Sequence, residues 1–139
     1  MALKEGRMFM GRMDFESDLL LSLTELCKKE KIKLGVFSVI GALTSVRLGY
    51  YHQDEKKYVD CVNLNKKLEI SSCMGNVSLT KELEIFVHAH ITLADHQGKC
   101  YGGHLMPGSA IFAAEYYIKE IVGDEYVRKY DSETGLNLW

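Results

Sequence analysis

The sequence predicts an α+β fold: one main helix packed on a curled, largely antiparallel β-sheet. Two observations carry this expectation. Apolar residues recur at helical spacing in only one stretch, near the N-terminus. Beyond Leu34 the chain divides into short runs rich in Val, Ile, Tyr and Phe, separated by breaks of Gly, Asn, Asp or Lys. Breaks this short suit hairpins, because parallel neighbours would need crossover helices between them. With 139 residues, 47% of them hydrophobic and 26% charged, the chain is expected to form one domain over 1–139.

The elements follow in order. Leu3 to Met13 reads as an opening strand. Asp14 or Ser17 is placed to cap a helix in which Leu19, Leu20, Leu23, Leu26 and Cys27 share a face, running to about Lys31. The basic cluster Lys28-Lys29-Glu30-Lys31 with Lys33 closes that helix, where the helix dipole favours cations. Strands are expected over Gly35–Ile40, Ser45–His52, Lys57–Leu64, Leu68–Cys73, Leu83–Leu93, Lys99–Leu105 and Ala110–Ile121. The last of these also fits a helix through Ala113-Ala114-Glu115. Gln53-Asp54-Glu55-Lys56 and His96-Gln97-Gly98 read as hairpin loops.

Composition narrows the function classes. The formal net charge is −2, so the chain as a whole has no excess of cations with which to displace the counterions of a nucleic-acid backbone. No apolar run approaches the ~20 residues of a membrane-spanning helix, and the N-terminus lacks a basic-then-apolar signal pattern, so a cytoplasmic location is expected. Cys27, Cys61, Cys73 and Cys100 form no CxxC pair and read as free thiols. Neither a GxGxxG nor a P-loop pattern is present, and no nucleophile elbow marks a serine hydrolase.

The chemistry-bearing feature is a group of histidines. Along Phe86–Leu93, Val87, Ala89, Ile91 and Leu93 share one strand face, while Phe86, His88, His90 and Thr92 share the other. His88 and His90 therefore project the same way. Whether His104 joins them depends on the hairpin register. A two- or four-residue loop puts it on the wrong face. A three-residue loop, His96-Gln97-Gly98 with Gly98 left-handed, pairs His90 with His104 and sets His88 diagonally beside them. Three imidazoles suit Zn²⁺ or another divalent transition metal, and three protein ligands leave a position open for water or substrate. Such an ion lowers the pKa of bound water towards ~7 and polarises carbonyls. The Gly102-Gly103 step leaves room for a ligand to approach, and Glu115, amid apolar neighbours, is the candidate carboxylate behind a metal-bound histidine. Against this, such a Glu is often simply paired with an Arg, and Arg47 or Arg128 could serve. His52 and His96 read as ordinary solvent-facing residues.

Taken together, Gly35-Val36-Phe37-Ser38-Val39-Ile40-Gly41-Ala42-Leu43, Leu68-Glu69-Ile70 with Gly75-Asn76, Val87-His88-Ala89-His90, Tyr101-Gly102-Gly103-His104-Leu105 and Ala114-Glu115 resemble the plants-and-prokaryotes-conserved (PPC) domain over nearly the whole chain. The resemblance implies an α+β domain that assembles as a homotrimer. In prokaryotes such a domain usually stands alone without an assigned activity. In plants it is joined to a DNA-reading AT-hook. That hook needs an Arg-Gly-Arg-Pro core, and this chain offers only Gly6-Arg7 and Gly11-Arg12. The fold also resembles acetolactate decarboxylase and a zinc-dependent ester hydrolase, which implies His88, His90 and His104 as zinc ligands. A small carbonyl compound or ester is then the substrate class for a possible metalloenzyme. The competing readings are a DNA-associated or protein-interaction module whose histidines serve structure, and a sensor with a small-molecule pocket between subunits.

Overall fold

The computed structural model describes residues 3–139. Strand β1 (Lys4–Met13) leads into helix α1 (Leu19–Lys29), followed by strands β2 (Gly35–Leu43), β3 (Val46–His52), β4 (Lys57–Leu64), β5 (Leu68–Leu79), β6 (Ile85–Ala94), β7 (Cys100–Leu105) and β8 (Ile111–Val122). A C-terminal pair, β9 (Lys129–Tyr130) and β10 (Asn137–Leu138), completes the chain. The eight long strands form one sheet in the order β1-β8-β2-β5-β6-β7-β3-β4, and every ladder in it is antiparallel.

The α+β class and the antiparallel pairing agree with expectation, but the expected curl is wrong. The sheet is open. Its outer strands, β1 and β4, each pair on one side only, and no ladder joins them. Bulges bend individual strands, between Glu5 and Met8 in β1 and between Leu48 and Gly49 in β3, without bringing the two edges together. A single eleven-residue helix covers only part of one face, so nothing draws the flanks inward.

Helix α1 is capped by Asp18, one residue beyond Ser17 and four beyond Asp14. The Asp18 carboxylate accepts from the Leu21 N–H at 2.9 Å, and its other oxygen accepts from the Gly108 and Ser109 N–H groups at 2.6 and 3.0 Å. Those two bonds come from a distant loop, which is why local pattern alone misplaces the cap. Leu19, Leu23 and Cys27 are buried one turn apart. They meet Val87, Ala89, Ile91 and Leu93 of β6 in a core that also takes in Phe37 and Val39 of β2. Each fully buried leucine contributes about 1.5–3 kcal/mol.

Ala110–Ile121 resolves as strand: β8 pairs with both β1 and β2. Strand β5 outruns its expected end at Cys73 and reaches Leu79, because β6 offers partners as far as Ile85. All four cysteines are free thiols, and burial pushes those of Cys27 and Cys73 up to about 12. Among the described residues no helix is long and apolar enough to cross a membrane.

Candidate metal centre

The site is built on the β6–β7 hairpin. Ala94 pairs with Cys100 and His90 with His104, leaving His96-Gln97-Gly98 as the loop tip with Gly98 at φ +76°. Asp95 fixes this loop. Its Oδ1 accepts from the Gln97 and Lys99 N–H groups at 2.9 and 3.0 Å, and its Oδ2 accepts from Lys66 Nζ at 2.6 Å. The Lys66 ammonium and then those two amides hold the Asp95 carboxyl at about 2.

With the register set, the alternation of β6 does the rest. Val87, Ala89 and Ile91 turn into the core, and His88 and His90 stand on the opposite face beside His104. The ring centroids lie 5.0 Å apart for His88 and His90, 4.9 Å for His88 and His104, and 5.6 Å for His90 and His104. One nitrogen from each ring falls within 4.8 Å of the others. His88 and His104 are half-buried, and His90 is exposed.

Burial, reinforced by the neighbouring imidazoles and Arg128, lowers the His88 pKa to about 4; burial and His90 lower that of His104. Both rings are thus neutral near pH 7 and keep a lone pair for a metal. His88 Nε2 and His104 Nδ1 are buried and have no hydrogen-bond partner. An unpaired buried polar atom costs about 1–3 kcal/mol. A cation between the rings would accept both lone pairs, so the residues present fit a metal ion. His52 Nδ1 shares the orphaned condition, but it lies at the far end of β3, edge-on to Tyr50 and outside the group.

Within the glycine step before His104, Gly103 also has a packing role. A Cβ on Gly103 would sit 2.9 Å from the Gly49 carbonyl oxygen and 3.2 Å from Leu48 Cβ, so its bareness lets β7 approach β3. Glu115 is absent from the centre. It is exposed on β8, with β2 and β5 between that strand and β6. Nor do Arg47 or Arg128 pair with it: Arg47 bonds to Asp60, and Arg128 to Asn76, Ser78 and Asn137.

A cleft of about 760 Å³ opens beside the histidines. His88 and His104 form part of one wall. The β3–β4 hairpin contributes Tyr51 and Tyr58, with the Tyr58 ring 4.5 Å from that of His104. The third side is the C-terminal segment, whose part in the site the sequence reading missed. It leaves β5 through bonds between Leu79 and Tyr126 and between Arg128 and Leu79. It then reaches the β3–β4 hairpin, where Tyr51 Oη donates to the Thr134 carbonyl at 2.7 Å and Lys56 Nζ to the Ser132 carbonyl at 2.7 Å. No local pattern marks Arg128 as part of a site, because two of its three hydrogen-bond partners lie some fifty residues earlier.

An open antiparallel sheet, covered by a helix on one face and bearing an imidazole triad beside a cleft on the other, defines a class of small α+β protein able to coordinate a metal ion. Residues 2–122 match the Plants and Prokaryotes Conserved (PCC) domain, and the chain belongs to that family. Its structure is similar to that of a metal-containing protein of Archaeoglobus fulgidus, at 36% identity and a TM-score of 0.92 over 99% of this chain and 96% of that one. It is equally similar to a plant- and prokaryote-conserved protein of Pyrococcus horikoshii, at 35% identity and a TM-score of 0.92 over 99% and 94% of the two chains. In sequence it is also 31% identical over 120 residues to the bifunctional protein GlmU of a Synechococcus strain, covering 85% of this chain. It spans only 18% of the length of that curated relative.

Proposed function

We propose that the protein binds a divalent transition metal, zinc in the first place, through His88, His90 and His104, and acts on a small carbonyl or ester compound in the adjoining cleft. One observation carries the reading: three imidazoles converge within 4.8 Å while two of their nitrogens are buried without a partner. The metal content of the Archaeoglobus relative supports it. The ion, when bound, supplies a Lewis acid for a carbonyl or ester oxygen. The chain's own residues supply the rest. Neutral His88 and His104 donate lone pairs, Tyr58 packs against the His104 ring, and Tyr51 and Phe86 give the cleft an apolar lining that displaces water. Likeness to the acetolactate decarboxylase fold is part of this proposal and sets the substrate class. Elemental analysis of untagged protein tests it. Wild type is expected to carry close to one metal per chain, and His88→Ala and His90→Ala far less; equal content in all three defeats the reading.

We further infer self-association, as a homotrimer, through the sheet face opposite α1. Met8 and Met10 of β1, Val36 and Ile40 of β2 and Met74 of β5 are all exposed there, with β8 lying between β1 and β2, a patch of the kind that marks interfaces. Light scattering is expected to give a trimer for wild type and a smaller species for Met74→Lys. A monomeric wild type rules this out.

A further inference from the structure

The cleft contains a cation with no counter-ion. Arg128 is 6% exposed. Its guanidinium donates to Ser78 Oγ at 2.8 Å, Asn76 Oδ1 at 2.9 Å and the Asn137 carbonyl at 3.0 Å, all of them neutral acceptors. The Phe86 and Trp139 rings lie 4.8 and 4.2 Å from it. Among the described residues no carboxylate lies within ion-pair distance. A buried charge is normally paired, and this one is held by neutral dipoles and two aromatic faces alone, which leaves it open to an anion. Three of the five guanidinium N–H groups are used, which leaves two donors for the oxygens of a carboxylate or phosphate.

The rest of the cleft has the same sign. Lys56, Lys57 and Lys81 line it, against Glu82 alone. Lys57 pairs with Glu55, Lys81 with Glu82, and the exposed Lys56 bonds to the Ser132 carbonyl, so among the described residues Arg128 is the buried charge of the cleft without a carboxylate partner. It shares the cleft with His88 and His104, and the volume of about 760 Å³ suits a small molecule.

We propose that this cleft takes a small anionic ligand whose carboxylate or phosphate group is anchored by Arg128, with the remainder of the molecule directed at the imidazoles. This deepens the reading of the cleft as the substrate site and rests on it, but the anchor itself needs no metal. Metal-free protein therefore separates the two: loss of metal binding does not affect this result, and loss of anion binding does not affect the metal analysis.

The probes are inorganic phosphate and malonate, titrated separately into metal-free wild type and followed by calorimetry and by the NMR signal of Arg128 Nε–H. Saturable binding that moves this signal is expected for at least one probe. Tighter binding of phosphate assigns a phosphorylated ligand, and tighter binding of malonate a carboxylate. Arg128→Met is expected to weaken binding by roughly tenfold or more, as for loss of a charge-assisted bond. Arg128→Lys, which keeps the charge but not the planar guanidinium, is expected to weaken it less. If Arg128→Met does not fold, the lysine variant and the wild-type NMR map decide. The proposal is overturned if neither probe saturates, if the shifts fall only on exposed lysines, or if a folded Arg128 variant binds as wild type does.

Discussion

Two of the three sides of the cleft are held in opposite ways. The β6–β7 hairpin is pinned from behind by apolar packing: Val87, Ala89, Ile91 and Leu93 enter the core under α1, and the histidines are the reverse side of that strand. The C-terminal segment has little such backing. It is strapped across by bonds at Leu79, Tyr51 and Lys56 and by the stacking of Arg128 between polar partners and the Phe86 and Trp139 rings. A metal site needs donors fixed to fractions of an ångström, and the hairpin provides that. A ligand needs a wall that can admit and retain it, and few apolar contacts with many exposed polar ones mark a segment of lower local stability.

The contrast can be tested by breaking each side. The largest effect is expected from Ile91→Ala, which removes a side chain only 2% exposed. Chemical denaturation should show a loss of about 2–5 kcal/mol, taking hairpin and histidines with it. His90→Ala, on the same strand but exposed, should remove metal while changing stability by less than about 0.5 kcal/mol. On the other side, Trp139→Ala removes a ring 4.2 Å from the Arg128 guanidinium and 5.9 Å from Tyr126. A loss of about 1 kcal/mol is expected, visible as faster amide exchange in residues 126–139 with β6 and β7 unchanged. Equal acceleration on both sides would show that the two are one cooperative unit.

A smaller effect concerns the loop. The Asp95 carboxyl sits below its ordinary range, so the unfolded chain binds the proton more readily. The stability it contributes is complete above about pH 4 and disappears as the pH falls towards about 2. Asp95→Asn should flatten the acid-unfolding curve in that window. Gly98→Ala meets no atom within 4 Å but keeps φ at +76°, so a loss of about 1 kcal/mol with the hairpin register intact is expected in a thermal melt.

Much of the metal centre was legible because it is local. Alternation along β6 and the loop tip at Gly98 involve neighbours within twenty residues, and they bring His90 opposite His104 without reference to the rest of the chain. The helix face could be read for the same reason, through the one-turn spacing of Leu19, Leu23 and Cys27. Glu115 was misread because apolar neighbours in sequence say nothing about which strand lies next in the sheet. The Asp18 cap was misplaced because two of its three bonds come from residues some ninety positions away.

What the sequence determined by itself was the periodicity, and with it the α+β class, the antiparallel hairpins and the shared face of the histidines, since each depends on backbone geometry repeated over a few residues. Only the tertiary structure decided that the sheet stays open, that Gly103 serves strand approach, and that Arg128 comes to the cleft. Those outcomes depend on which distant groups complete one another's hydrogen bonds and burial, and a linear pattern does not encode that choice.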